Sequence, residues 1–334
     1  MRKHLRRSPW QLTGFGLLVA GAFVPALAHA QPVQGSFERT LGVSGPPEIE
    51  VSTGSGRIEV TPGRDGQIEV RGQVRASEDW GGSRRNPLSR EERVRRIEAN
   101  PPIEQTGNVI RIGRIDDEDL RDGISISYTL TVPADASLQS KTGSGSHRIE
   151  GVRGKVQAST GSGSIVAREV GSLLASSGSG SIDVERVDGS VRLNTGSGRI
   201  QATGVGGPIA AKSGSGGIEV AQSGSGDVEV SSSSGSVQIR GVRGPLRAST
   251  TSGGLHVEGE PGGDWELSAA SGGIRIDVPA GSGFHLDATT SSGSIDVGMP
   301  LTMSTSGRRA LRGTVGGGGS RLRVRTSSGN IDIE

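Results

Sequence analysis

A short phrase made of glycine, one small or polar residue and an aliphatic residue returns about every 18 residues between Gly145 and Gly293. A second series falls halfway between, so each unit carries two apolar-x-apolar segments, such as 182–184 (IDV) and 191–193 (VRL). Alternation with a period of two puts the aliphatic side chains on one face of a strand. Because so narrow a face is buried only when consecutive units stack, the pattern predicts an all-β fold. We expect a parallel β-helix, or β-solenoid, with two short strands per coil.

The turns of these coils are rich in glycine, serine and threonine, as in residues 195–198 (TGSG). Glycine tolerates positive φ angles, and hydroxyl groups can hydrogen-bond nearby backbone, so we expect tight turns with stacked Ser and Thr columns. The aromatic content is 2%, which suits a thin core filled by Ile, Val and Leu. Trp265 stands at a predicted strand start, where we expect it to fill the core.

The first 30 residues have the layout of a secretory signal peptide. A basic start precedes an apolar stretch, and Ala28-His29-Ala30 supplies a small-residue cleavage site. Without the four basic residues of this leader, 33 basic and 35 acidic residues remain, a formal balance of −2. This near-neutral balance argues against nucleic-acid binding. The chain contains no cysteine, so disulfides cannot stabilise it, and no membrane span is predicted after the leader.

The remaining chain divides into a linker over residues 31–47 and a solenoid over 48–334. The repeat stops after Val74, and we predict a charged insertion over 75–122. Within it, Ser89 and Glu92 form a capping-box pattern and a proline pair follows Asn100, which predicts a short helix over about 90–99. The glycine-rich segment 298–320 is predicted to be a second loop before the last coil.

Several of these motifs resemble those of a known bacterial family. They are 128–133 (YTLTVP), Leu138, 141–151 (KTGSGSHRIEG) and the repeated SGSI, SGGI and SGNI phrases. Over roughly residues 48–334 the chain resembles a β-strand-repeat family of unknown function whose members are called putative adhesins. The resemblance implies an extracytoplasmic β-helical domain. The family has no established catalytic residue, so no residue role carries over to this chain.

The sequence offers little support for a metal site or for catalysis. In calcium-binding β-rolls an Asp follows the glycines of every turn, but only Asp227 does so among six comparable positions here. His147, His256 and His285 are expected to face solvent and not to converge on a metal. No Gly-x-Ser-x-Gly, His-Glu-x-x-His or Walker motif is present. We therefore expect no cofactor, no metal and no catalytic residue.

The predicted helix is the best candidate for contact with a partner, because basic residues lie on it not far from an aromatic residue. The candidate partner-binding residues are Trp80, Arg93, Arg95 and Arg96. The alternative is a solvated, salt-bridged helix that covers the flank or the end of the solenoid.

These observations favour an exported, non-catalytic protein of adhesin-like or cell-envelope structural type, in the periplasm or at the cell surface. Its partner would be a cell-envelope protein or a polysaccharide. One alternative is a carbohydrate-active enzyme that uses the acidic run 116–119 (DDED), and another is an envelope-associated regulatory or sensing protein. Because the final strand, 329–334 (GNIDIE), has no evident cap, end-to-end self-association is also predicted.

Overall fold

The computed structural model describes residues 33–77 and 86–334. Its N-terminal part contains seven strands and two helices: β1 (Val33–Gly42), β2 (Glu48–Thr53), β3 (Ile58–Pro62), β4 (Gln67–Ala76), α1 (Arg90–Ala99), β5 (Ile103–Thr106), β6 (Val109–Ile112), α2 (Glu118–Arg121) and β7 (Ile124–Val132). The predicted signal peptide, 1–30, and the first two residues of the predicted linker lie outside the described residues.

The regular middle of the molecule consists of eight coils with two strands each. Their strands are β8 (Ser137–Thr142), β9 (His147–Glu150), β10 (Lys155–Thr160), β11 (Ile165–Val170), β12 (Ser172–Ser177), β13 (Ile182–Val187), β14 (Val191–Thr195), β15 (Ile200–Val205), β16 (Ile209–Ser213), β17 (Ile218–Gln222), β18 (Val228–Ser232), β19 (Val237–Val242), β20 (Leu246–Thr250), β21 (Leu255–Gly259), β22 (Trp265–Ala269) and β23 (Ile274–Asp277).

The C-terminal part adds six strands: β24 (Phe284–Ser292), β25 (Ile295–Val297), β26 (Leu301–Ser306), β27 (Ala310–Val315), β28 (Ser320–Ser328) and β29 (Ile331–Ile333). All strands belong to two long sheets. Sheet A has 14 strands in the order β1-β4-β7-β3-β9-β11-β13-β15-β17-β19-β21-β23-β29-β25. Sheet B has 15 strands in the order β26-β27-β24-β28-β22-β20-β18-β16-β14-β12-β10-β8-β2-β6-β5.

The middle coils confirm the predicted solenoid. Each coil gives one strand to each sheet, and neighbouring strands pair in parallel with Ile opposite Ile, as in the Ile182, Ile200 and Ile218 column of sheet A. These aliphatic residues are buried with those of sheet B in one hydrophobic cluster, which also contains Trp265 as predicted. Stacking thus turns many narrow apolar stripes into a continuous core.

A column of buried hydroxyls fixes the turn between the two sheets. In one coil, the Thr195 Oγ1 accepts a hydrogen bond from the Gly198 N–H (3.1 Å) and donates one to the Gly180 carbonyl of the preceding coil (3.0 Å). The same pair of hydrogen bonds, one accepted and one donated by the hydroxyl, repeats at Thr142, Thr160, Ser177, Ser213, Ser232 and Thr250. The predicted hydroxyl column is confirmed, and it satisfies turn backbone that would otherwise be buried without partners.

The prediction that the turn glycines are needed for positive φ angles is wrong, because Gly196 and Gly198 are not among the residues with positive φ. A Cβ atom at Gly198 would instead lie 2.1 Å from the carbonyl oxygen of Gly180 in the preceding coil, which no side chain can tolerate. Glycine is required here by the close approach of stacked backbones.

At the N-terminal end, the chain does not stack its coils in sequence order. The β2–β3 coil lies between the β6–β7 coil and the β8–β9 coil, pairing in parallel with both. Beyond β7, sheet A continues with antiparallel β4 and β1, and beyond β6, sheet B ends with antiparallel β5. Two boundaries are therefore corrected. Residues 33–42 of the predicted linker form a strand, and 103–112 of the predicted insertion belong to the solenoid sheet.

Helix α1 begins and ends where the sequence predicts. The Ser89 Oγ accepts a hydrogen bond from the Glu92 N–H (3.1 Å), and the last turn closes at Asn100. The helix buries Val94 and Ile97 and packs against β1 and β4. Contact is so close that a Cβ atom at Gly35 would lie 2.4 Å from Val94. The helix thus helps to close the core at this end of the solenoid.

At the C-terminal end, the order of the coils is also permuted. The β28–β29 coil inserts between the β22–β23 and β24–β25 coils and pairs in parallel with both. The predicted loop 298–320 is wrong in its central part, because β26 and β27 form an antiparallel hairpin that extends sheet B from β24. The final strand β29 is paired on both sides, so it is not the free end on which the prediction of self-association was based.

No helix in 33–77 or 86–334 combines the length and the apolar character that crossing a membrane would require.

Candidate functional site

A shallow groove of about 750 Å³ runs across the outer face of sheet B, near the starts of its strands. It crosses eight neighbouring strands, from Lys155 in β10 to Arg321 and Arg323 in β28. With a strand spacing of about 4.8 Å, its length is roughly 34 Å. The outward side chains Leu174 and Ala210 are short or apolar, which leaves space between their longer neighbours. A groove of this length suits an extended chain better than a compact small molecule.

Charged groups of both signs line this sheet B groove. The basic members are Lys155, Arg192, Arg247, Arg321 and Arg323, and the acidic members are Asp227, Glu229, Asp264 and Glu266. Some are neutralised within the face, since Arg247 pairs with Glu266 (3.3 Å) and Glu229 pairs with Lys212 (3.1 Å). Exposed pairs of this kind contribute little to stability, so they are free to exchange partners with a ligand.

A column of hydroxyl and amide groups runs beside the groove. Ser159, Ser176, Asn194, Ser231, Ser249 and Ser268 occupy equivalent outward positions of consecutive strands, interrupted by Lys212. Each projects from the sheet one strand spacing from the next. These groups can both donate and accept hydrogen bonds, which is the chemistry needed to bind a hydroxyl-rich polymer.

The outer face of sheet A is different, because its charges bind one another both within a strand and between neighbouring strands. Arg168 pairs with both Glu150 (3.4 Å) and Glu185 (3.0 Å), and further along Arg275 pairs with Asp277 (3.1 Å) and Glu334 (2.6 Å). A hydrogen bond from the His256 ring (2.6 Å) lowers the pKa of the Asp277 carboxyl. This face is a network of ion pairs, and none of the residues named here lines the sheet B groove.

The structure does not bring the predicted partner-binding residues together. Trp80 lies outside the described residues. Arg93 is fully buried against the solenoid and its Nη1 donates to the Asp122 carbonyl, so the prediction that it contacts a partner is wrong. Arg95 and Arg96 are exposed, and both pair with Glu92 (3.9 and 2.8 Å). The hydrogen bond from Arg96 lowers the pKa of Glu92. The helix thus matches the alternative of a salt-bridged cover.

In the acidic run 116–119, on which the enzyme alternative was based, three carboxylates bind groups close to them in the chain. The Asp117 carboxylate caps the one-turn helix α2 by accepting from the Asp119 and Leu120 N–H groups. Asp116 pairs with Arg114 (2.9 Å) and Glu118 with Arg121 (3.8 Å). None of these carboxylates lines the sheet B groove.

The histidines do not converge, but one of them is placed differently from the prediction. His147 begins β9 with its ring buried in the core, contrary to the expectation that it faces solvent. Its Nδ1 lies 2.7 Å from the Ser140 Oγ, and its Nε2 lies 3.0 Å from the Ser159 carbonyl. Burial lowers its pKa. Within the described parts of the chain, no group of His, Asp or Glu is arranged to hold a metal.

The sequence contained one indication of the groove, the uncharged outward residues Leu174 and Ala210, but the mixed charges around them suggested an ordinary solvated surface. The outward column through Arg192, Ala210, Glu229, Arg247 and Glu266 alternates in sign, which is typical of a solvated surface. The structure continues this column with Arg323 of β28, because that strand is inserted next to β22. The short residues Leu174 and Ala210 in the column were the available indication of a depression.

Residues 129–334 match the Toastrack DUF4097 family, and this chain belongs to that family. Three solved structures show distant similarity. A putative cell adhesion protein from Clostridium sporogenes is 11% identical (TM-score 0.22), covering 91% of this chain and 99% of that chain. Putative adhesins from Bacteroides fragilis and Parabacteroides distasonis are each 10% identical (TM-scores 0.27 and 0.30), covering 90% and 89% of this chain and 97% of each of theirs. Among curated proteins, none matches the sequence.

Proposed function

We propose that this protein is an exported, non-catalytic binding protein of adhesin-like type, and that its sheet B groove holds an extended polysaccharide. The observation that carries this proposal is the continuity of the groove over eight strands, with charged and hydroxyl groups repeated at the strand spacing. A linear polymer can contact the same kind of group on each coil, so many weak contacts add up along its length. A carbohydrate-active enzyme would instead need two carboxylates facing one bond.

A bulky substitution at Ala210 tests where the polymer binds. Ala210→Trp fills the groove, whereas Ala221→Trp makes the same change at an outward position of sheet A. With an acidic, a neutral and a zwitterionic polysaccharide as probes, we expect at least one to bind the purified protein by calorimetry. Ala210→Trp should weaken that binding at least tenfold, or about 1.4 kcal/mol, and Ala221→Trp should leave it unchanged.

Two further measurements test the other parts of the proposal. Incubation with the same polysaccharides should release no new reducing ends, and a release of products would favour the enzyme alternative. Cell fractionation with N-terminal sequencing should find the protein outside the cytoplasm, beginning near Gln31. If no polysaccharide binds, or if both Trp variants bind equally well, the groove is not the binding site.

A further inference from the structure

The stack of tight turns between the two sheets ends in the β2–β3 coil, at residues 53–57. In the regular coils, a turn N–H donates to a carbonyl of the neighbouring turn on the N-terminal side, as from Ser179 to Gly161 (3.1 Å). The β6–β7 coil, which lies next on that side, joins its two strands through the longer loop 113–123 with helix α2. A pocket of about 440 Å³, called here the turn pocket, lies between the last tight turn, this loop and β7.

Two backbone N–H groups of the last tight turn have no acceptor. The Gly54 carbonyl accepts from the Ser144 N–H (3.1 Å), so the turn is stacked normally on one side. On the other side, the geometry of the stack directs the Gly54 and Ser55 N–H groups toward the turn pocket, and no described residue accepts a hydrogen bond from them. A Cβ atom at Gly54 would meet nothing within 4 Å, so this space is open. Successive free N–H groups in a turn form a concave binding site for anions.

The hydroxyl of Tyr128 is a third donor without a partner. The Tyr128 side chain is 1% exposed, and its hydroxyl lies beside Gly113 in the pocket wall, since a Cβ atom at Gly113 would be 3.3 Å from it. No described group hydrogen-bonds to this oxygen. Burial raises the pKa of Tyr128, so the hydroxyl keeps its proton and can donate. A buried hydroxyl without a partner costs free energy, which a ligand that accepts its proton would recover.

The remaining side chains of the turn pocket supply positive charge and an apolar wall. Lys141 is exposed and has no ion pair in the described chain, and Arg121 has one exposed pair within α2 (3.8 Å). Although the acidic run 116–119 belongs to the same loop, no described carboxylate lines the pocket. Ile115 and Ile124 are only partly buried, so they keep apolar surface for a ligand. The unpaired polar groups are thus all donors, and two of the lining side chains are cations.

We propose that the turn pocket binds a small organic anion. Its acidic group accepts hydrogen bonds from the free turn N–H groups and lies near Lys141, and its short hydrocarbon body packs against the isoleucines of the wall. The volume lies within the range of ordinary small-molecule sites. The turn pocket shares no lining residue with the sheet B groove, so this proposal does not depend on the binding of a polysaccharide.

Calorimetry on the purified protein tests the proposal with hexanoate and hexyl phosphate, compared with neutral hexanol and with acetate. At least one six-carbon anion should bind at least tenfold more tightly than hexanol, which lacks the charge, and than acetate, which lacks the hydrocarbon body. Lys141→Gln should weaken this binding about tenfold. The matched control, Lys155→Gln, changes a lysine of the sheet B groove and should leave the binding unchanged.

Tyr128→Phe tests the buried donor. It removes an oxygen that has no partner, so the free energy of unfolding should not fall, while anion binding should weaken at least threefold. On titration with the anion, the NMR amide signals of Gly54 and Ser55 should shift more than those of the equivalent Gly178 and Ser179, whose N–H groups are already bonded. The proposal is overturned if hexanol binds as tightly as both anions, or if Lys141→Gln and Tyr128→Phe both bind like the natural protein.

Discussion

The two ends of the solenoid solve the same problem in different ways. At each end the chain places a coil out of sequence order and then adds antiparallel strands, β4, β1 and β5 at one end, and β27 and β26 at the other. The N-terminal end is also covered by α1, which buries Val94 and Ile97 and caps a strand edge through Glu98. Strand β26 at the C-terminal end has no such cover among the described elements.

The difference shows what a solenoid needs at its ends. Parallel stacking can continue without limit, so the last coil always presents exposed core and unpaired backbone. Antiparallel strands supply partners for the backbone, but they do not remove the outermost edge. At the N-terminal end, α1 packs against the outer strands β1 and β4 and caps the Ser36 N–H of β1 through Glu98. At the C-terminal end, β26 keeps one side unpaired and has no helix packed against it among the described elements.

The largest expected effect comes from a charge placed under the helical cover. Val94→Asp would bury a carboxylate without a partner between α1 and sheet A, and we expect it to cost about 3–5 kcal/mol of unfolding free energy. The matched substitution at the other end, Leu311→Asp in β27, affects a side chain that is already partly exposed. It should cost about 1 kcal/mol.

Hydrogen exchange measured on both variants distinguishes local from global effects. Val94→Asp should abolish the protection of β1 and β4 amides before that of the middle coils, because a solenoid can open from one end. Equal costs for the two substitutions would mean that the two ends are closed equally well, contrary to the comparison above.

The regular coils could be predicted from the sequence because every coil repeats the same local cause. Alternating aliphatics and buried hydroxyls recur at one spacing, and α1 has a capping residue at one end and prolines after the other. The order of the end coils could not be predicted. The phrases at Gly293 and Gly329 fit the repeat equally well in either order, because each aliphatic stripe matches any neighbouring stripe.

The candidate site was harder to predict than the fold. Arg93 belongs to a helix whose sequence is strongly basic, yet packing against the solenoid buries it while Arg95 and Arg96 stay exposed. Which of several arginines faces a neighbour depends on how the helix is docked. The sheet B groove likewise depends on which outward side chains stack beside one another, such as the uncharged Leu174 and Ala210 among longer charged neighbours. The position of Arg323 next to Glu266 follows from the insertion of β28 beside β22, which the order of the sequence does not show.

A pair of equivalent turn glycines tests whether close stacking explains the repeat. A Cβ atom at Gly178 would lie 2.3 Å from the Gly161 carbonyl oxygen, whereas at Gly54, in the same turn position near the N-terminal end, it would meet nothing within 4 Å. Gly178→Ala should therefore cost about 1–3 kcal/mol by overpacking. Gly54→Ala should be neutral, or should stabilise by a few tenths of a kcal/mol because alanine has less freedom in the unfolded chain.

Urea denaturation of the two variants provides the measurement. If Gly178→Ala proved as harmless as Gly54→Ala, the steric account of the turn glycines would be incorrect. Conformational freedom would then have to explain them, even though neither residue has a positive φ.

The smallest expected effect concerns His147, at the junction between the permuted N-terminal coils and the regular stack. Its neighbours at the same core position are Ile58 and Ile165, so it lies between two apolar residues of the adjacent strands. Burial lowers the pKa of His147 below the value of about 6.5 that it has in the unfolded chain. As the pH falls below about 6.5, the unfolded state binds a proton that the folded state does not, so stability decreases.

The control is the double variant His147→Ile with Ser140→Ala, which copies Ile165 and Ala158 of the next coil. In the neutral ring, Nδ1 accepts a hydrogen bond from the Ser140 hydroxyl and Nε2 donates one to the Ser159 carbonyl. Ser140 is therefore replaced together with His147, so that its hydroxyl does not lose its partner. Unfolding free energies measured between pH 7 and pH 5 should fall more steeply for the natural protein than for the double variant. Identical slopes would mean that His147 titrates equally in both states. That result would contradict its burial in the folded core, because desolvation is the cause of the lowered pKa.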